Sequence, residues 1–158
     1  MNYTMREMLP AEYPLLRTFV YESIFVHDGD KAPPRSIVDS PEFLVYTEDF
    51  GGKKDDCCVV AVAEDGTIMG AAWVRIMHDY GHVDDETPSL AIALFPAYRG
   101  CGIGTAMMEK LLELLRLRGY SRTSLSVQRA NRAVNLYKKL GYEVLHEDDE
   151  EYIMANRL

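Results

Sequence analysis

The period of the hydrophobic positions changes several times along this chain, and each change marks an element. Tyr3 to Met8 alternates loosely and predicts a first strand. Ala11 to Phe25 carries Tyr13, Leu16, Phe19, Val20 and Ile24 close to helical spacing, with Pro10 suited to a helix start. Breakers from His27 to Pro34 predict a loop, Pro41 to Tyr46 a second short helix, and Gly51 to Asp56 a polar turn. Cys57 to Ala63 reads as a strand, Asp65-Gly66 as a tight hairpin turn, and Ile68 to Met77 as the partner strand with the only tryptophan, Trp73. A polar linker, His78 to Pro88, follows. Leu90 to Phe95 is a short apolar run that Pro96 ends, since proline cannot donate to a sheet ladder. After the glycines at 100, 102 and 104, a strong helical pattern runs from Thr105 to Gly119, which suits a C-cap. Arg122 to Val127 predicts a fifth strand, and Asn131 to Leu140 a short helix closed by Gly141. Tyr142 to His146 and Tyr152 to Asn156 form a last hairpin around Asp148 to Glu151, an acid run expected to be an exposed turn. One mixed α/β sheet accounts for every element, as a single domain over residues 1–158.

The order strand, glycine-rich turn, helix has a chemical use. The first turn of a helix leaves backbone N–H groups without partners at its positive end. Glycines let an anion approach those groups closely, and Arg99 adds a forked cation. A phosphate or pyrophosphate is the expected ligand. A P-loop is excluded because no lysine follows the glycines. A Rossmann turn fails as well: the third glycine position falls on Thr105 or Met107, and the following strand ends in Val127-Gln128 without the expected acid.

What fits is Arg99-x-x-Gly102-x-Gly104, which resembles the acyl-CoA pyrophosphate loop of the GNAT superfamily of N-acetyltransferases. Downstream, Asn131-x-Ala133, Leu136-Tyr137 and Leu140-Gly141-Tyr142 resemble the second signature of that family, in the right order. The resemblance covers nearly the whole chain. It implies a GNAT-like acyltransferase fold, a mostly antiparallel sheet of six to seven strands flanked by about four helices. It implies transfer of the acetyl group of acetyl-CoA to an amine. Backbone groups of Ile92, Ala93 and Leu94 are then expected to meet the cofactor, with Arg99, Gly100, Cys101, Gly102, Ile103, Gly104 and Thr105 around its pyrophosphate. Asn131 matches the family asparagine that bonds the pantetheine arm, or alternatively a helix N-cap. Tyr137 matches the tyrosine that protonates the departing thiolate. Many relatives carry a cation within the loop where this chain has Cys101, which leaves more of the phosphate attraction to Arg99.

The acceptor side is read from chemistry. A free alkylamine has a pKa of about 10.4, so at neutral pH something must remove its proton. Glu86 is the first candidate base, His78 or His82 the second. Phe25, His27, Phe43 and Tyr46 are candidate walls of the acceptor site, because the family builds it from the segment between the first two strands.

Charge sharpens this division. The formal net charge is −8, but residues 1–88 carry −10 and residues 89–158 carry +2. The half with the phosphate loop is the basic one, and the acidic half suits a cationic amine. An acidic chain without a basic stripe excludes nucleic acid as a partner. No apolar run approaches the roughly 18 residues that span a membrane, and the first residues lack a signal-peptide core, so a cytoplasmic location is expected. Three cysteines make no disulfide framework, and no His/Cys cluster has metal-ligand spacing, so no metal is expected. Cys57 and Cys58 read as apolar filler, and Cys101 as an oxidisable thiol rather than a nucleophile. The resulting expectation is a small-molecule N-acetyltransferase, with a homodimer as an assembly common in the family. The alternatives are a protein or peptide N-acetyltransferase and a non-catalytic acyl-CoA sensor.

Overall fold

The computed structural model describes residues 2–158. Seven strands form one sheet: β1 (Tyr3–Glu7), β2 (Cys57–Ala63), β3 (Ile68–Arg75), β4 (Ser89–Leu94), β5 (Arg122–Gln128), β6 (Glu143–Glu147) and β7 (Glu151–Arg157). Their spatial order is β1-β2-β3-β4-β5-β7-β6. Every neighbouring pair is antiparallel except β4 and β5. The helices are α1 (Leu16–Ser23), α2 (Pro41–Leu44), α3 (Ile103–Leu117) and α4 (Ala133–Lys139).

Strand alternation sorts the core onto two faces. From β2, Cys57, Val59 and Ala61 join the face that packs against α3, with Met107, Met108, Leu111 and Leu115. Cys58 and Val60 point the other way, onto Leu16, Phe19 and Val20 of α1 and onto Trp73. This alternation is why the β2 stretch is apolar throughout: both faces are covered.

The expected first helix is shorter than its hydrophobic spacing implied. Pro14 has no N–H to donate, and Pro10–Leu15 forms a 3-10 turn; α-helical bonding begins only at Leu16. Segment 45–56, which follows α2, is anchored by a buried ion pair. Arg75 Nε and Nη2 donate to Asp56 Oδ1 and Oδ2, each at 3.1 Å, while Nη1 donates to the carbonyls of Val45 (3.0 Å) and Glu48 (2.8 Å). Both charged side chains are essentially inaccessible to water, at 2% and 0% exposure.

One departure from regularity positions everything that follows. Strands β4 and β5 pair at a single position, Ser89 with Ser124, and then diverge. Gly81 sits in the fork. A Cβ there would lie 2.8 Å from Ser89 Oγ and 2.9 Å from the Ser126 nitrogen, so only glycine lets the linker backbone approach so closely. The Ser124 hydroxyl fastens it by donating to the Gly81 carbonyl at 2.7 Å. Beyond the fork, the edge of β4 that faces β5 has no strand against it.

Candidate active site

Two cavities open from this fork and share a wall. One, of about 590 Å³, runs along Ile92, Ala93 and Leu94 of β4 to Arg99 and the end of α1. The other, of about 510 Å³, lies between the diverging strands and reaches Glu42, Tyr46, Tyr80 and Glu151. Phe25, Ile92, Asn131 and Tyr137 line both. The pair therefore forms one bent cleft with Tyr137 at the bend.

The loop that follows Arg99, at the end of the first arm but itself lining neither cavity, has the donor set that a pyrophosphate needs. Gly100 and Gly102 have positive φ (76° and 83°), and no atom lies within 4 Å of a Cβ built on either. These left-handed residues turn the chain into α3 so that its first bonded N–H is that of Ala106, to the Gly102 carbonyl at 3.2 Å. The N–H groups from Gly100 to Thr105 have no acceptor among the described residues, and they lie at the positive end of a 15-residue helix. Ile103 buries its side chain in the core, which leaves only its backbone free for a ligand. Cys101 is exposed, its thiol 3.5 Å from the Arg99 carbonyl. Arg99 does not stand free: Nε donates to the Leu94 carbonyl (3.0 Å), and Nη2 to the Glu22 carbonyl (3.1 Å) and carboxylate (3.2 Å). Its charge is thus shared with Glu22, and anion binding falls more heavily on backbone N–H groups than the sequence suggested.

Asn131 lines both arms while its Oδ1 accepts from the Ala133 N–H at 2.9 Å, so its side chain ties down the start of α4 beside the cleft. Tyr137 is held by α4 against the sheet, and burial pushes its phenol up to about 12. At neutral pH it is a fully protonated donor.

The second arm departs from expectation. Glu86 is exposed in the turn before β4 and lines neither arm, because β4 begins only at Ser89 and the residues before it turn away toward Arg122, which bonds Asp84 and Thr87. His78, His82 and His27 line neither arm either. The linker instead brings His78, His82 and Asp85 together, with one potential ligand atom of each within 4.8 Å of the others. Metal-ligand grouping is therefore present where spacing gave no sign of it. Phe25, Phe43 and Tyr46 do line the second arm.

The acid run of the last hairpin is not merely an exposed turn: Asp148, Glu150 and Glu151 face the same cavity. Behind Tyr46 lies Asp79, whose Oδ2 accepts from the Tyr46 hydroxyl (2.9 Å) and the Ser89 hydroxyl (2.8 Å). Burial raises its carboxyl above the ordinary range, against the pull of those two bonds. No local motif announced these residues; a hairpin turn with four consecutive acids, pairing beside the strand that ends in Gln128, was the one available sign.

A mixed sheet split at one parallel pair, a glycine cradle at a helix start and a buried tyrosine at the bend define an acyl-CoA acetyltransferase architecture. A family model described as Acetyltransferase (GNAT) family matches residues 21–142, and the chain belongs to that family. Residues 2–158 superpose on the PaiA N-acetyltransferase of Thermoplasma acidophilum, solved with coenzyme A, with a TM-score of 0.72 over all of both chains at 20% identity. The chain is 38% identical over 58 residues to the [ribosomal protein bS18]-alanine N-acetyltransferase of Haemophilus influenzae, covering 37% of this chain and 40% of that one. It is 44% identical over 59 residues to the thialysine N-epsilon-acetyltransferase of Mus musculus, covering 37% of this chain and 35% of that one. These matches span less than half of either curated relative. Among the described residues no helix is long and apolar enough to cross a membrane.

Proposed function

We propose that the protein transfers the acetyl group of acetyl-CoA to a primary amine of a small molecule, with Tyr137 as the general acid. The observation that carries this reading is the bent cleft: the arm beside the glycine cradle meets a side-chain-walled cavity of about 510 Å³ at Tyr137. That volume is in the range of small-molecule sites. The named relatives include both a protein acetyltransferase and an amino-acid acetyltransferase, so their names do not decide the acceptor.

Acetyl-CoA supplies an activated thioester: the ammonium first loses one proton, then the lone pair of the neutral amine forms the C–N bond as the C–S bond breaks, giving the N-acetylated amine and CoA thiol. The unpaired edge of β4 at Ile92 to Leu94 offers backbone groups to the carbonyl on which negative charge develops. Tyr137 hands its phenolic proton to the departing sulfur and is restored by the proton that the attacking nitrogen sheds as it becomes an amide, relayed through water in the cleft. The carboxylates of the second arm accept the proton that the ammonium must lose.

The test is CoA release with a panel of amines, run beside Tyr137→Phe. Loss of a general acid lowers turnover about 10²- to 10⁴-fold, with acetyl-CoA affinity kept. Acetyl-CoA binding without turnover of any small amine would move the reading to a peptide acceptor or to a sensor.

A further inference from the structure

We infer that the linker between β3 and β4 carries a zinc site, with His78, His82 and Asp85 as its protein ligands and a fourth position for water. The site stands apart from the cleft and from the reaction, since none of the three residues lines either arm. One nitrogen or oxygen of each lies within 4.8 Å of the others. The two imidazole rings have centroids 4.4 Å apart, and His82 Nε2 lies 3.5 Å from Asp85 Oδ1. An ion about 2.0–2.2 Å from each of those two atoms sees them at an angle of about 115°, near the tetrahedral value. A tetrahedral edge at such bond lengths is about 3.4 Å, so the third ligand has at most about 1.4 Å to close. His78 is exposed, and its ring closes that distance by turning about its side-chain bonds. Two imidazoles and one carboxylate suit zinc, whereas magnesium and calcium take oxygen ligands.

Exposed histidines and acids meet by chance on many surfaces, but here the surroundings point to a ligand. Arg122 is taken by Asp84 (2.7 Å) and Thr87 (2.9 Å), which leaves Asp85 with no charged partner except His82 among the described residues. His82 Nδ1 is buried and has no partner. Ligation through Nε2 places the ring proton on Nδ1, and a ligating histidine ordinarily donates that proton to a carboxylate or a carbonyl. The same turn holds the complement: Asp79 Oδ1 is a buried acceptor without a donor. Three ligands on one loop bind weakly when binding must also order the loop. This loop is tied down beside each of them. Asp79, next to His78, accepts from the Tyr46 and Ser89 hydroxyls. Gly81, next to His82, accepts from the Ser124 hydroxyl at 2.7 Å, and the His82 N–H donates to the Asp79 carbonyl at 3.2 Å. Asp84, next to Asp85, accepts from the Glu86 N–H at 2.8 Å. The ion therefore clasps a segment that is already folded, and with it Asp79, the residue that holds the Tyr46 hydroxyl.

The experiment titrates zinc chloride into the chelator-treated full chain carrying Cys101→Ser, which removes the one exposed thiol. Calorimetry is expected to show one zinc ion per chain, undisturbed by millimolar magnesium. Thermal melts at a hundredfold excess over Kd are expected to shift up by about 5 °C or more. His78→Gln and Asp85→Asn change exposed residues and leave the fold intact, so they carry the test if His82→Gln fails to fold. His78→Gln is expected to weaken zinc binding more than about a hundredfold, beyond what an outer-shell change costs. His27→Gln/His146→Gln removes the two remaining histidines and is expected to bind zinc as the parent does. Hydrogen exchange followed by mass spectrometry places the ion: zinc slows exchange in residues 78–88 and leaves residues 99–105 unchanged. No saturable binding, displacement by magnesium, or equal affinity in His78→Gln and the parent overturns the site. So does zinc binding that leaves exchange in the linker unaltered. Each of these outcomes leaves the reading of the cleft standing, because none is measured through acetyl transfer.

Discussion

The two arms of the cleft are built by different means. The arm beside α3 presents backbone: glycine N–H groups at a helix start and the bare edge of β4, held by a continuous core of Met107, Met108, Leu111 and Leu115. The other arm presents side chains from α2, the linker and the β6–β7 turn, elements far apart in sequence. A backbone site needs glycines at fixed positions, and little else about it can vary. A side-chain site can change its ligand by changing one residue without disturbing the fold.

The largest effect expected from this contrast lies at neither arm. Arg75 and Asp56 anchor the segment that carries Tyr46, and they are buried and doubly bonded. Asp56→Ala leaves a buried guanidinium without its carboxylate, which costs about 3–5 kcal/mol. Urea denaturation measures that loss. In the fraction still folded, the amine KM is expected to rise while the acetyl-CoA affinity holds. A parallel loss of acetyl-CoA affinity would break the separation between the two arms.

A smaller effect tests the backbone arm. Gly102 has φ 83° and open space around its would-be Cβ, so Gly102→Ala meets no clash. Its cost is the left-handed backbone alone, about 1–2 kcal/mol. Because that geometry turns the chain into α3, acetyl-CoA affinity is expected to fall, with the relative kcat/KM values across a panel of amines unchanged. Isothermal titration with CoA and the amine panel read the two quantities. A change in amine preference would show that the arms communicate through the loop.

The same contrast explains what could be read before the structure. The cradle was legible, because Arg99, Gly102 and Gly104 lie within six residues and do one physical task. Asn131 and Tyr137 were legible through a second compact pattern. The partner of Arg99 was not, since Glu22 lies 77 positions away in sequence and nothing local marks it. The acceptor wall was legible only as an acidic half of the chain. Glu86 drew attention because it precedes β4 directly, yet the strand begins at Ser89 and the turn before it faces outward. Besides Glu42 of α2, the carboxylates that do reach the cavity come from a hairpin at the other end of the chain, placed there because β7 pairs with β5 from Arg157 to Glu151. Strand pairing, not proximity in sequence, decided which acids face the ligand.

The smallest effect concerns stability, and its sign distinguishes a residue kept for the ligand from one kept for the fold. Asp79 has a carboxyl raised by burial, with Oδ1 unpartnered and Oδ2 shared by Tyr46 and Ser89. A raised carboxyl means that the folded state holds its proton more tightly than the unfolded chain does. Stability therefore declines as pH rises from about 4, the unfolded value, through the folded one, and then levels off. Asn in its place can still accept both hydroxyl bonds and carries no charge to desolvate. Asp79→Asn is thus expected to be modestly more stable than the parent at pH 7, with the gain shrinking toward pH 4. Thermal melts of both proteins across that range read the difference directly. A gain that grows with pH marks the carboxylate as one the fold tolerates rather than needs. A loss at pH 7 would mark it as part of what holds Tyr46 and the linker together, and the acceptor arm would then owe its acidity to folding.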